Sequence, residues 1–295
     1  MTDPLDAAWR AAHPLPGVDP ETDKNSRGTV LAVGGSRTVP GALALTAEAA
    51  LRAGAGKVRL GLPEEAALGM GLLHPEFAVT GLPTGPSGEL SVDGAETIIG
   101  SLERVDTLVL GPGMGKPEAV RPLVRRLLAS ARDGMSIVLD AAAISCSARL
   151  GRSIAAHHGR VVLTPHHGEM AALMACNETD VSEDDERLAM DAARRFDAVI
   201  VLKSARTVVA GPDGTLLRYA GGGPGLATAG SGDVLAGIIG GLLARGADPL
   251  RAAAWGVWLH GEAGRLLARR IGKVGFLARE LSGAIPSLMG HPAED

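Results

Sequence analysis

The run Gly221-Gly222-Gly223-Pro224-Gly225-Leu226-Ala227-Thr228-Ala229-Gly230-Ser231-Gly232-Asp233 leads straight into the apolar stretch Val234-Leu235-Ala236-Gly237-Ile238-Ile239. A helix start carries about four unpaired N–H groups and a partial positive charge, which together suit an anion. Glycines let the backbone close around phosphate oxygens without side-chain clashes. No lysine follows the run, so it is not a Walker-type phosphate loop. Asp233 is the unusual residue in it. A carboxylate facing a polyphosphate needs a metal or a proton-transfer role to justify it, and the other reading is a helix cap.

Two further segments carry chemistry. In Thr164-Pro165-His166-His167-Gly168-Glu169-Met170 a strand gives way to a helix with Glu169 in its first turn. Such a glutamate can hold the water shell of Mg²⁺ beside phosphates, or it can cap the helix. His166 beside it reads as structural or catalytic. Lys203 ends an apolar run, where it pairs with phosphate or reaches solvent.

The elements that must position these residues alternate. Thr29–Val33, Lys57–Leu62, Asp106–Leu110, Ser136–Asp140, Arg160–Thr164 and Ala198–Lys203 are short apolar strands. Helices are expected over Gly41–Ala53, Pro117–Ala131 and 182–196, and again over 231–245, 248–270 and 277–289. Pro212-Asp213-Gly214 turns a hairpin between Thr207–Ala210 and Thr215–Tyr219. Strands buried on both faces require helices on both faces, so the fold class is α/β with a mostly parallel sheet. Ligands of such sheets bind beyond the carboxyl ends of the strands. Five of those ends read Gly34-Gly35-Ser36, Gly111-Pro112-Gly113, Asp140, Thr164-Pro165-His166 and Lys203-Ser204, which together imply one shared crevice. Residues 1–27 read as an arm or lead-in, 28–290 as a single domain and 291–295 as a tail.

Composition narrows the partners. The 295 residues are 46% hydrophobic and 21% charged, as in ordinary globular proteins. A net charge of −4 and only seven aromatics (3 Trp, 1 Tyr, 3 Phe) argue against nucleic acid. No apolar run reaches the roughly 18–20 residues of a membrane helix, and the acidic start does not look like a signal peptide, so a cytoplasmic location is expected. Cys146 and Cys176 lack metal or redox spacing and read as reduced thiols.

In order along the chain stand Val33-Gly34-Gly35-Ser36 with Pro40-Gly41-Ala42, His74-Pro75-Glu76, Gly111-Pro112-Gly113-Met114-Gly115 and Leu163-Thr164-Pro165-His166-His167-Gly168-Glu169-Met170. Leu202-Lys203-Ser204-Ala205-Arg206-Thr207 and Ala227-Thr228-Ala229-Gly230-Ser231-Gly232-Asp233-Val234-Leu235-Ala236-Gly237 follow. From about Gly28 to Leu288 the chain resembles the ADP/ATP-dependent NAD(P)H-hydrate dehydratases of the ribokinase-like superfamily. The resemblance implies a ribokinase-like three-layer sandwich. It also implies ADP-dependent dehydration of the S form of hydrated NADH or NADPH, with release of AMP and phosphate. Asp233 would take the proton from the ring hydroxyl, whose oxygen attacks the terminal phosphoryl; loss of phosphate then restores the double bond. N–H groups of Ser231 and Gly232 would stabilise the phosphoryl charge, with Mg²⁺ bridging.

The resemblance puts adenine nucleotide (ADP or ATP) against Lys203, Ser204, Ala205, Arg206, Thr207 and Gly232. It puts the hydrated dinucleotide against Ala42, Gly113, His166 and Asp233, and Mg²⁺ at Glu169. It also implies a homo-oligomer, a tetramer by family habit. With only some 27 residues ahead of the first strand, epimerisation of the hydrate is expected from a separate epimerase. Three positions depart from the family: Asp140-Ala141-Ala142-Ala143 for Asp-Ala-Asp-Ala, Ser204 for a usual glycine, and Ala278-Arg279-Glu280-Leu281 for Ala-Ser-Asp-Leu. The competing readings are a ribokinase-like kinase of a small alcohol (a vitamin precursor) and a non-catalytic nucleotide sensor.

Overall fold

The computed structural model describes residues 2–17, 19 and 21–290. Ten strands form one sheet: β1 (Asp3–Pro4), β2 (Thr29–Val33), β3 (Lys57–Pro63), β4 (Phe77–Leu82), β5 (Thr107–Leu110), β6 (Ser136–Leu139), β7 (Val161–Leu163), β8 (Val199–Leu202), β9 (Thr207–Ala210) and β10 (Leu216–Tyr219). Their order is β1-β10-β9-β8-β7-β6-β5-β2-β3-β4. Every pair from β4 through to β8 is parallel, while β9 pairs antiparallel with both β8 and β10.

Strand alternation splits the core into two layers. Val30 and Ala32 of β2, Val109 of β5 and Val199 and Val201 of β8 face one layer with helices Ala42–Arg52, Ser231–Ala244 and Pro249–Arg270. Leu31 and Val33, Leu108 and Leu110, and Ile200 and Leu202 face the other, with helices Pro117–Ser130, Ala142–Ser147, His167–Met174 and Asp185–Phe196. A period of two with both sides apolar is why these strands read as unbroken hydrophobic runs. The result is the expected α/β three-layer sandwich. The helix carrying Asp233 lies close against Ala42–Arg52 because Gly237 has no side chain: a Cβ there would collide with the Thr46 carbonyl oxygen.

From β2 the chain builds outward through β3 to β4, and after β5 it builds the other way through β6 and β7 to β8. The direction of winding therefore reverses between β2 and β5, which opens a crevice beyond their carboxyl ends. Gly34-Gly35 and Gly111–Gly113 flank that crevice.

Several elements differ from the sequence expectation. Helix Glu64–Leu73 and strand β4 had no clear pattern, since Leu68, Leu72 and Leu73 are all exposed and Gly69, Gly71 and Gly81 interrupt the runs. The stretch 182–196 divides at Asp184 into Glu178–Glu183 and Asp185–Phe196. The last expected helix is three short turns, Ala278–Leu281, Ser282–Ala284 and Ile285–Gly290, where Gly283 and Pro286 disfavour one continuous helix. The described part of the lead-in is packed rather than loose. β1 pairs with β10, helix Ala7–Ala12 follows, and Trp255 Nε1 and Arg251 Nη1 donate to the carbonyls of His13 and Pro14 at 2.8 and 3.0 Å. The tail, 291–295, lies outside the described residues.

Candidate active site

Because β2, β5, β6, β7 and β8 are parallel neighbours, the five chemistry-bearing strand ends do share one edge of the sheet. Side chains connect three of them. Thr164 Oγ1, after β7, donates to Asp140 Oδ1, after β6, at 2.7 Å. Lys203 Nζ, after β8, donates to the same oxygen at 3.0 Å and lies 3.8 Å from Glu169 Oε2. Burial works against the Lys203 charge, but Asp140 and then Glu169 hold its ammonium above the ordinary lysine value. One hydrogen bond to Asp140 leaves two of the three ammonium protons available to a ligand.

Glu169 does cap its helix. His166 is the N-cap, and its Nδ1 accepts from the Gly168 and Glu169 N–H groups at 3.0 and 3.3 Å; Glu169 Oε2 in return accepts from the His166 N–H at 2.9 Å. Burial pushes the Glu169 carboxyl above its ordinary value, against the Lys203 charge, and Asp140 adds to the push.

Asp233 is not a cap. The cap of helix Ser231–Ala244 is Gly230, whose φ of +87° is left-handed and favours glycine, and no side chain caps the helix. The Ser231 N–H is already engaged by the Thr228 carbonyl at 3.2 Å. That corrects the expectation that Ser231 supplies an amide to phosphate: the first-turn donors left are those of Gly232 and Asp233. A Cβ on Gly232 would sit 3.4 Å from Lys203 Nζ, so an anion at these amides also meets the ammonium. The Asp233 carbonyl accepts from Thr46 Oγ1 at 3.1 Å, tying this turn to helix Ala42–Arg52. Burial, then the charge of Asp140, raises the Asp233 carboxyl to about 7, with Lys203 opposing.

A cavity of about 1160 Å³ opens beside this turn, ample for a nucleotide. Lys203, Ser204, Ala205, Arg206, Thr207 and Gly232, the residues expected to face a nucleotide, all line it, and His166 joins them. A parallel backbone bridge pairs His166 with Lys203. The loop after β8 is fixed by its own side chains: Thr207 Oγ1 donates to the Ser204 carbonyl at 3.0 Å, and Ser204 Oγ accepts from the Arg206 N–H at 3.0 Å. Ser204 thus fits a turn where the family usually has glycine.

Ala42 and Gly113 do not line this cavity. They meet at the crevice between β2 and β5, where a Cβ on Gly113 would come within 2.7 Å of the Ala42 Cβ. Helix Ala42–Arg52 begins at this crevice and, through Thr46, contacts Asp233. Ala42 and Gly113 thus sit apart from the cavity, and helix Ala42–Arg52 links their crevice to Asp233 through Thr46.

Sequence reasoning gave no role to three residues found at the site. Asp140 was visible as a polar strand end, but nothing in the sequence paired it with Lys203, 63 residues on. His260 and Tyr219 line the cavity from elements read only as helix and hairpin. Among the described residues, no group of three or more His, Cys, Asp or Glu is placed to hold a metal.

Comparison with known proteins gives a consistent picture. The family model for NAD(P)H-hydrate dehydratase matches residues 30–287. The chain is 46% identical over 285 residues to the ADP-dependent (S)-NAD(P)H-hydrate dehydratase of Xanthomonas campestris pv. campestris, covering 96% of this chain and 94% of that one. It is 41% identical to the bifunctional NAD(P)H-hydrate repair enzyme Nnr of Moorella thermoacetica over 99% of its own length but only 54% of the relative's. The chain therefore spans about half of such bifunctional relatives. Among solved structures, the ADP/ATP-dependent NAD(P)H-hydrate dehydratase of Bacillus subtilis, co-crystallized with ATP/Mg2+, superposes with a TM-score of 0.82 at 28% identity, covering 98% of each chain.

Proposed function

The chain belongs to the NAD(P)H-hydrate dehydratase family, and from that premise we infer that it is a lyase that dehydrates (S)-hydrated NADH or NADPH at the expense of ADP, releasing AMP and phosphate. The observation that carries this reading is the position of Asp233. A carboxylate raised to about 7 stands in an uncapped helix turn whose Ser231 and Gly232 line a nucleotide-sized cavity. At neutral pH such a group is both available as a base and strong enough to take a hydroxyl proton.

In this reading the nucleotide lies against Lys203–Thr207, and its terminal phosphate meets the Gly232 and Asp233 N–H groups together with the Lys203 ammonium. Those donors stabilise the negative charge that grows as the phosphoryl group transfers. The hydrated ring enters from Ala42 and Gly113. Asp233 removes the proton of the ring hydroxyl, and the oxygen attacks the terminal phosphoryl as AMP departs. Phosphate then leaves, the neighbouring ring carbon gives up a proton to water, and the ring double bond returns. Asp140 anchors Lys203 so that its remaining protons face the cavity. His166, on the cavity lining, contacts the hydrated dinucleotide.

Mg²⁺ fits here as an ion carried on nucleotide phosphates, since the described residues form no protein cage for it. Glu169 is the residue to face it through Oε1, because Oε2 already accepts from the His166 N–H. When bound, the ion would neutralise phosphate charge.

Residues 28–290 form the catalytic unit, in accord with the extent of the family match. The S-specificity implies a companion epimerase activity, which the bifunctional character of longer relatives supports. A cytoplasmic setting suits these substrates, and no helix among the described residues is long and apolar enough to cross a membrane. Self-association into a tetramer would cover the exposed Leu68, Leu72 and Leu73, and light scattering would measure it. The test of the reading is direct: purified protein with hydrated NADH and ADP should restore reduced-nicotinamide absorbance with equimolar AMP. Absence of that return, with a small alcohol phosphorylated instead, would reassign the protein as a kinase.

A further inference from the structure

Helix Pro249–Arg270 carries a histidine that the reaction above does not use. His260 lines the nucleotide cavity, and its Nε2 lies 2.8 Å from Ser231 Oγ, the hydroxyl of the first residue of the phosphate-facing helix. Ser231 is 5% exposed and lines the same cavity. Burial drives the His260 imidazole down to about 4, with the Lys203 charge pushing the same way. The ring is therefore neutral at physiological pH and has a single N–H to give.

We propose that His260 is a positioning residue for the transferable phosphate: its Nε2–H donates to Ser231 Oγ, so that the Ser231 hydroxyl proton is turned toward the terminal phosphate. The proposal rests on the nucleotide reading of the cavity. A hydroxyl has one proton and two acceptor sites. Were Ser231 to donate to the imidazole, nothing on that side chain would be left for an anion. With the imidazole as donor, Ser231 becomes a third donor beside the Gly232 and Asp233 amides. It also makes good the Ser231 N–H that Thr228 has taken. Because the two residues stand on different long helices, the contact fixes the first turn of Ser231–Ala244 to Pro249–Arg270 at the point where phosphate must be held.

The arrangement assigns a substrate feature to each residue. Ser231 would read the terminal phosphate of ADP, which AMP lacks, while the Lys203–Thr207 loop serves both nucleotides. Ser231→Ala and His260→Leu should therefore weaken ADP affinity about tenfold or more, as loss of a hydrogen bond to a charged group does, and leave AMP affinity within about twofold. His260→Gln, whose amide can donate from nearly the same place, should recover most of the loss. The double variant should be no worse than either single one, because the two side chains act as one unit.

Isothermal titration with ADP and AMP, alongside kcat and KM for each variant that melts cooperatively, decides the matter. Selective loss of ADP affinity with rescue by glutamine supports the proposal. Equal weakening of ADP and AMP, or no change in either, overturns it, and Ser231→Ala alone is enough to overturn it if His260→Leu does not fold. Failure of the unmodified protein to bind ADP at all would instead overturn the nucleotide reading itself.

Discussion

The Asp140 carboxylate and the Lys203 ammonium meet at 3.0 Å across the ends of β6 and β8, two strands that are not neighbours. β7 runs between them, and its terminal Thr164 donates to the same carboxylate oxygen at 2.7 Å. Asp140 is 3% exposed, so this is a hydrogen-bonded ion pair with a buried carboxylate, its Lys203 end on the cavity wall. Removing one partner of such a pair strands the other charge. Asp140→Ala should lower stability by about 3 kcal/mol or more and loosen Lys203 from the phosphate end. Urea unfolding checks the first effect and ADP titration the second. A variant of unchanged midpoint would show that Asp140 does not hold the site.

The same carboxylate acts on Asp233, since its charge is the second cause, after burial, of the raised value near 7. A base must be deprotonated to work, so kcat/KM should fall about tenfold per pH unit below that value. In Asp140→Asn the acid limb should move to lower pH. A pH–rate profile for both proteins reads this out, and an unmoved limb would remove Asp140 from the electrostatics of the base.

Stability follows with the opposite sense to that of a salt-bridged acid. Asp233 is at about 7 in the folded protein against an ordinary 3.8, so between those values the folded state holds the proton and the unfolded state does not. Stability from this group is therefore present below about pH 3.8 and is lost as pH rises toward 7. Asp233→Asn lacks that loss. Its melting temperature relative to the unmodified protein should rise between pH 5 and pH 8, as differential scanning calorimetry would show.

Gly113 offers a test that separates the crevice from the cavity. A Cβ there would come within 2.7 Å of Ala42 Cβ and 2.9 Å of the Val39 carbonyl, at a φ of +73°. Gly113→Ala should raise KM for the hydrated dinucleotide about tenfold or more, by strain and displacement at the crevice, while ADP affinity stays put. Loss of both affinities together would mean that the crevice and the cavity are not separate.

Ligand binding to the folded state alone raises its stability by about 2.7 kcal/mol at one hundred times Kd. Melting curves in ADP and in ATP should both shift upward, with ADP giving the larger shift at equal concentration. A larger shift with ATP would reverse the preference inferred from the Xanthomonas relative.

The framework of the site was legible because both strand faces are buried. Runs such as Val199-Ile200-Val201-Leu202 stand out as apolar, and each stops at a glycine or a polar residue. Parallel pairing then forces those stops onto one edge. What could not be read were contacts between distant segments that leave no local trace. Lys203 with Asp140 and Ser231 with His260 are pairs of ordinary residues until the fold brings them together. The packing of the lead-in was not legible for a related reason. Its Pro-rich stretch is held by donors on helix Pro249–Arg270 that take its backbone carbonyls, and a carbonyl has no sequence signature. Helix Glu64–Leu73 was obscure because its leucines point outward, which reverses the pattern that reveals a helix.

At the centre of the mechanism, Asp233 takes the hydroxyl proton while the helix turn beside it holds the phosphate. The most direct measurement follows reduced-nicotinamide absorbance from hydrated NADH and ADP with Asp233→Asn beside the unmodified protein, with ADP affinity determined for both. Normal or tighter ADP binding is expected in the variant, with a rate lower by about 10²–10⁴-fold. An undiminished rate in Asp233→Asn would contradict the assignment of the base.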